Sequence, residues 1–177
     1  QTMAAQFPEF GLMSLGVMLT MITGGIDLSV VGNANLTSIL MAYLLINMTD
    51  VAGAIPPYAI PLVFFLAILI GATLGIFNGL LVSKAHIPPI LATLGSGELY
   101  TGICMALTKG NAVSKFSRTY ATTINNRLFG LIPVQLIIFT IMALLVWFLL
   151  SRTVFGTKIY MLGTSATAAK FSGLKTD

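Results

Sequence analysis

Two carboxylates, Asp27 and Glu98, lie within stretches of sequence that are otherwise apolar enough to cross a lipid bilayer. A carboxylate at the bilayer centre costs about 2.5–3.5 kcal/mol on insertion scales, so a chain keeps one there only where it is shielded, paired or next to an aqueous cavity. Asp27 stands between the glycine pair Gly24-Gly25 and Ser29, a pattern typical of a broken helix that exposes backbone groups. We therefore expect Asp27, Ser29 and Glu98 to belong to a polar pathway through a membrane transporter.

Glu98 interrupts an apolar helix and has two interpretations. As a buried carboxylate it requires a hydrogen-bond donor, which Ser96, Tyr100 or a substrate hydroxyl group would supply. As a residue near a helix end it would instead reach the headgroup layer. The same two interpretations hold for Asp27.

Catalysis within the membrane is a competing use of such residues. Aspartyl proteases of this kind need two facing aspartates inside the membrane, but Asp50 lies at the end of a span. Serine-type proteases need an intramembrane histidine, and the single histidine, His86, lies in a turn without metal-ligand partners around it. We expect no catalytic residue and no metal site. An ion-coupled secondary transporter stays open, with Asp27 and Glu98 binding a cation or a proton.

The composition is that of a membrane protein. Hydrophobic residues make up 56% of the chain, charged residues only 8%, and the mean hydropathy is +0.96, whereas soluble domains carry about 25% charge. The net charge of +4 comes from nine Lys and Arg residues that lie between or beside the apolar stretches, so they predict membrane topology and not nucleic-acid binding. The single cysteine, Cys104, excludes an intrachain disulfide.

The apolar stretches predict an all-α membrane protein, a polytopic helical bundle with about five membrane segments. A spanning helix needs about 20 mostly apolar residues, and prolines trim two of the stretches. The predicted segments lie at residues 10–26, 28–49, 58–82, 90–108 and 128–151, the last beginning near Pro133. Because the chain begins almost inside its first segment and stops soon after its last, we expect it to be part of a longer chain.

A stripe of small residues marks the third segment. Gly71, Gly75 and Gly79 follow Ala67 at four-residue spacing, which places them on one helix face and lets another backbone approach. Asn78 adjoins the stripe and is a further candidate for the polar pathway. We expect Gly71, Gly75 and Gly79 to serve helix packing.

Two polar segments flank the last apolar stretch. Residues 109–132 form a basic connection that is either a solvated loop or a docking site for an acidic partner. In the second segment, Thr164 or Ser165 is suited to cap a short helix and Gly173 to end it. Alanines make the surface of this short helix shallow, and Phe171 supplies an apolar anchor, so it suits a groove on a partner protein.

Three motifs resemble the membrane-spanning permease subunit of bacterial ATP-binding-cassette (ABC) importers for simple sugars, the ribose, galactose, arabinose and autoinducer-2 group. The first is Thr-Gly-Gly-Ile-Asp-Leu-Ser at 23–29. The second is Gly-Ile-Phe-Asn-Gly-Leu-Leu-Val at 75–82, followed by Ile-Pro-Pro at 87–89 and Ala-Thr-Leu-Gly at 92–95. The third runs from Thr-Val-Phe-Gly at 153–156 through Ser-Gly at 172–173. The chain departs from the family pattern at Val30-Val31-Gly32 and at Thr157-Lys158.

The resemblance implies that residues 1–177 are part of one permease domain in the bacterial cytoplasmic (inner) membrane. It implies a second permease copy or homologue, an extracytoplasmic substrate-binding protein and a partner ATPase that holds ATP-Mg. In that pattern the segment 109–132 lies outside and the segment 152–177 inside, where it couples to the ATPase through five residues: Gly163, Ala168, Ala169, Lys170 and Gly173. Related permeases for nucleosides and branched-chain amino acids stay open.

No Gly-rich phosphate loop ending in Gly-Lys-Ser or Gly-Lys-Thr occurs in the sequence. We therefore expect a transport subunit that is not itself an enzyme and carries no cofactor of its own.

Overall fold

The computed structural model describes residues 2–49, 54–114, 127–128 and 132–173. These residues form seven helices and one pair of two-residue strands. The helices are α1 (Thr2–Ile22), α2 (Val30–Asn47), α3 (Ala59–Ser83), α4 (Pro89–Thr108), α5 (Val134–Arg152), α6 (Val154–Thr164) and α7 (Ala166–Phe171), and the strands are β1 (Arg127–Leu128) and β2 (Ile132–Pro133).

Four of the described helices, α2, α3, α4 and α5, are long and apolar enough to cross a membrane. They correspond to four of the five predicted segments, which confirms the helical membrane bundle. The first predicted segment, residues 10–26, is different because α1 ends at Ile22 and its apolar part, Gln6–Ile22, is shorter than the other four. Four of the five predicted segments thus form helices of spanning length among the described residues, and the first forms a shorter apolar helix.

The chain divides into two units, Leu28–Asn126 and a second made of Gln1–Asp27 with Arg127–Asp177. The first unit contains α2, α3 and α4, and its apolar core consists of Leu36, Tyr100 and Cys104. Side chains also donate to backbone carbonyls of neighbouring helices, Asn33 to Gly71 at 3.3 Å and Tyr43 to Leu107 at 3.1 Å. Such bonds satisfy polar groups that a lipid environment leaves without water.

The second unit contains α1, the strand pair, α5, α6 and α7. Helix α1 packs on α5, where the rings of Phe7 and Phe139 meet edge to face with centroids 5.5 Å apart. Pro8 is fully buried. These contacts fix the N-terminal half of α1 on α5.

Helix α5 begins where Pro133 predicts, directly after β2. Strands β1 and β2 pair antiparallel, with Leu128 opposite Ile132. Residues 115–126 and 129–131 of the predicted 109–132 connection lie outside the described residues, so its predicted docking role stays a prediction. The single permease domain over residues 1–177 also stays a prediction.

Candidate functional site

The glycine pair of the first motif ends helix α1. The N–H of Gly24 donates to the carbonyl of Met21 at 3.0 Å, and the N–H of Gly25 donates to that of Thr20 at 3.1 Å. Gly24 has a φ of 87°, so these bonds form a Schellman cap, in which a left-handed residue closes the helix. Helix α2 then begins at Val30, which confirms the break expected around residues 24–29.

Ser29 ties the far side of the break to helix α3. Its Oγ accepts a hydrogen bond from Nδ2 of Asn78 at 2.6 Å, and the two residues are only 1% and 5% exposed. Next to it, the backbone N–H of Leu28 donates to Oγ1 of Thr93 on α4 at 3.1 Å. The buried polar residues of this unit are Ser29, Asn78, Thr93 and Ser96. We call these four residues the polar cluster, and their side chains are neutral amide and hydroxyl groups that can form hydrogen bonds but carry no charge.

Two glycines make this arrangement possible. A Cβ at Gly32 would lie 2.6 Å from the carbonyl oxygen of Gly97, and a Cβ at Gly97 would lie 3.2 Å from Cα of Ser29. Helices α2 and α4 therefore touch backbone to backbone beside the polar cluster, as small residues permit in membrane bundles.

One acceptor of the polar cluster has no donor. Oδ1 of Asn78 is buried and accepts no hydrogen bond from any described residue. Leaving a buried polar atom unsatisfied costs about 1–3 kcal/mol. The atom is thus suited to receive a hydroxyl group or a water molecule.

Of the four residues predicted for the polar pathway, the structure brings two together. Ser29 and Asn78 meet, whereas Glu98 is exposed on α4 and lies outside the polar cluster. The hydroxyls expected to serve Glu98 donate elsewhere, Ser96 to Thr93 at 3.2 Å and Tyr100 to Leu74 at 3.3 Å. Asp27 is half-buried. The pathway role of all four residues stays a prediction.

The small-residue stripe of α3 is largely uncovered. Gly71 contacts Asn33 of α2 through its carbonyl oxygen. Gly75 and Gly79 are exposed, and a Cβ at either would meet no described atom within 4 Å. Their packing role stays a prediction. The close helix contact that the structure does show, between α2 and α4, is made at Gly32 and Gly97.

The C-terminal segment around α7 has the caps that the sequence predicts. Oγ of Ser165 accepts from the N–H of Ala168 at 3.2 Å, and Gly173, with a φ of 83°, follows the last turn of α7. Ala168, Lys170 and Gly173 are exposed, and Phe171 is 91% exposed.

One residue predicted to contact the ATPase lies differently from what the sequence indicated. Ala169 is only 1% exposed and faces the chain itself, so its side chain does not belong to the free surface of α7. Gly163 is exposed, and it also lies against the carbonyl of Ile22 at the end of α1, so its predicted contact with the ATPase stays a prediction. A helix of only six residues gives no periodicity from which the buried face could be predicted.

The sequence interpretation missed Thr93 and Gly97 as parts of the site. Thr93 lies in the Ala-Thr-Leu-Gly motif at 92–95, and Gly97 lies two residues beyond it. A glycine inside a helix costs about 1 kcal/mol relative to alanine. Because of this cost, a glycine at position 97 within a helix was the feature of the sequence that could have indicated a close contact.

Helices long and apolar enough to cross a membrane, a helix break at a glycine cap and a buried neutral polar cluster together describe a polytopic helical membrane protein. Residues 1–177 match the family described as the permease component of the branched-chain amino acid transport system, and the chain belongs to this family.

Several curated relatives are permeases of import systems. The chain is 36% identical over 166 residues to the ribose import permease protein RbsC of Bacillus subtilis, covering 93% of this chain and 49% of the relative. It is 31% identical over 163 residues to the D-allose transport system permease protein AlsC of Escherichia coli, covering 92% and 47%. It is also 31% identical over 176 residues to the autoinducer 2 import system permease protein LsrD of Yersinia pseudotuberculosis, covering 96% and 50%. The chain thus spans about half the length of these relatives. No solved structure matches it.

Proposed function

We propose that this chain is membrane-spanning permease sequence of an ATP-driven bacterial importer for a simple sugar. The observation that carries the proposal is the similarity of nearly the whole chain to permeases of ribose, D-allose and autoinducer 2 import systems. The polar cluster supports a hydroxylated, uncharged substrate, since Ser29, Asn78 and Thr93 offer neutral hydrogen-bonding groups. Asp27 and Glu98 are kept as secondary candidates for the pathway.

The proposal includes four partners: a second permease copy or homologue, a substrate-binding protein outside the membrane, the lipid bilayer, and an ATPase that holds ATP-Mg. The surface offered to the ATPase is the free side of α7. Phe171 projects from it, and Lys170 adds a positive charge, so the complementary groove is apolar with an acidic rim. Ala169 anchors the opposite side of this short helix on the chain.

The docking surface is tested by co-purifying the ATPase from membranes. Phe171→Ala and Lys170→Glu should each lower the amount of bound ATPase, the first because it removes the most exposed apolar side chain on α7. Phe148→Ala is the matched control, because Phe148 is an exposed phenylalanine on the membrane helix α5. Unchanged binding by Phe171→Ala would remove α7 as the docking element. Ala169→Arg should instead destabilise the protein, because Ala169 is buried.

The substrate class and energy source are tested in proteoliposomes that contain the permease, its ATPase and its binding protein. We expect uptake of radiolabelled ribose or a related sugar that requires ATP and the binding protein, and no uptake of leucine. Sugar uptake driven by a cation gradient without an ATPase would support the ion-coupled alternative. Leucine uptake would support the branched-chain amino acid alternative, to which the family description points.

A further inference from the structure

The C-terminal end of α1 rests on the backbone of α6. In the Schellman cap, the carbonyls of Thr20 and Met21 receive the glycine N–H groups, and the next carbonyl, that of Ile22, is directed at Gly163. A Cβ at position 163 would overlap the Ile22 oxygen and lie 3.0 Å from its carbonyl carbon. The atoms in the way are backbone atoms, which no rotamer change moves aside.

Helix α6 is joined closely to its neighbours in the chain. Between α5 and α6 stands only Thr153, whose Oγ1 accepts from the N–H of Gly156 at 3.2 Å and donates to the carbonyl of Leu149. Between α6 and α7 stands only Ser165, whose N–H donates to Met161 at 3.2 Å. A displacement of α7 therefore moves α6, because one capped residue connects the two helices.

The segment after the contact is the non-helical part of this path. Residues 25–29 belong to no helix or strand, so this stretch absorbs changes in φ and ψ at less cost than the helices on either side. A displacement of the end of α1 therefore changes the backbone conformation of the break. Ser29, at the far end of the break, belongs to the polar cluster.

We propose that Gly163 is a positioning residue that transmits movement of α7 to the end of α1 and so to the helix break. The proposal rests on the proposed function, because an ATPase must supply the movement. It assigns the exposed Gly163 to a joint between α6 and α1 and makes no use of a contact between Gly163 and the ATPase. A glycine is required there because the Ile22 carbonyl occupies the place of a side chain.

The joint is tested with Gly163→Ala in the membrane complex containing ATPase and binding protein. We expect the ATPase to co-purify and to hydrolyse ATP, while substrate uptake is lost. Gly16→Ala is the matched control, because a Cβ at Gly16 on α1 would meet nothing within 4 Å. Loss of the ATPase from an inserted Gly163→Ala variant, or uptake at the wild-type rate, would overturn the proposal. If the unmodified chain binds no ATPase, the proposed function fails instead.

A second measurement does not depend on the folding of Gly163→Ala. Spin labels at Phe10 and Lys158, both exposed, report the separation of α1 and α6 in a Cys104→Ala background. The joint requires this distance to stay constant when ATP binds, while the labelling rate of an Ile26→Cys variant in the break changes. A changed distance would show that α6 moves apart from α1, and an unchanged Ile26→Cys rate would show that the break does not respond. Either result overturns the proposal.

Discussion

At the scale of single residues, the hydrogen bond between Ser29 and Asn78 has the most consequence for the site. A serine before a helix ordinarily accepts a hydrogen bond from an N–H of the first turn. Ser29 stands at that position before α2, but its side chain makes no such cap and its Oγ accepts from Asn78 instead. Ser29 therefore does not cap the N-terminus of α2 with its side chain. It instead attaches the end of the helix break to α3 through Asn78.

This exchange predicts a measurable coupling between the two side chains. In a double-mutant cycle of Ser29→Ala and Asn78→Ala, the coupling in the free energy of unfolding should be about 0.6 kcal/mol and at most about 1.7 kcal/mol, the mean and maximum found for hydrogen bonds inside a membrane protein. The measurement is chemical unfolding of the purified protein in detergent micelles. A matched cycle of Ser38→Ala with Asn78→Ala should show none, because the Ser38 hydroxyl donates to Asn35 within its own helix. Additive effects of the first pair would contradict the assignment.

At the scale of helices, local chemistry predicted where elements begin and end better than which of their faces pack. The start of α5 at Pro133, a cap at Thr164 or Ser165 and the end of α7 at Gly173 were all predicted correctly, because each depends on a few neighbouring residues. The choice of packing face depends on distant residues. Gly75 and Gly32 are both glycines within apolar helices, yet only Gly32 meets another backbone among the described residues.

The same limit explains why the sequence did not predict the hydrogen-bond partners of the hydroxyl groups near Glu98. The sequence places Glu98 within a helix and next to hydroxyl groups. In a helix, however, a hydroxyl group can donate to a backbone carbonyl of the preceding turn, which needs no contact with another element. Ser96 uses that option and donates to Thr93. Tyr100 reaches across to Leu74 of α3, which no pattern in a single sequence shows.

The backbone contact between α2 and α4 predicts different effects of two similar substitutions. Gly32→Ala should lower the free energy of unfolding by about 1–3 kcal/mol, as overpacking does in a well-packed core, because the new methyl group meets the Gly97 carbonyl. Gly95→Ala should be neutral or stabilising, because that position on α4 has no described atom within 4 Å. Unfolding in detergent measures both. Equal effects of the two substitutions would mean that α2 and α4 do not approach as described.

At the scale of the whole molecule, much apolar surface stays uncovered by the described residues. Helices α3 and α5 expose large side chains along their length, including Phe64, Phe65, Trp147 and Phe148. A lipid environment removes the penalty that water would impose on such surface. The chain spans about half the length of its relatives. We propose that other permease helices also cover part of these apolar faces.

The direction in which the helices cross the membrane is the last property that the proposed function requires. Basic residues alone decide it weakly, since the predicted arrangement places five on the inside, Lys84, Arg152, Lys158, Lys170 and Lys175, and four on the outside, Lys109, Lys115, Arg118 and Arg127. Helix α4 has 20 residues, and a helix of that length spans about 30 Å, the thickness of the hydrocarbon core. Its two flanks should therefore lie on opposite sides.

Cysteine labelling in intact cells checks this arrangement in a Cys104→Ala background. His86 and Asn111 flank α4 and are exposed, and Ala168 is exposed on α7. An impermeant maleimide added outside should label Asn111→Cys at once, but should label His86→Cys and Ala168→Cys only after the inner membrane is permeabilised. The reason is that the proposed function requires an ATPase in the cytoplasm to reach α7. Labelling of Ala168→Cys from outside would place α7 where no cytoplasmic ATPase could bind it, and would exclude the importer mechanism for this chain.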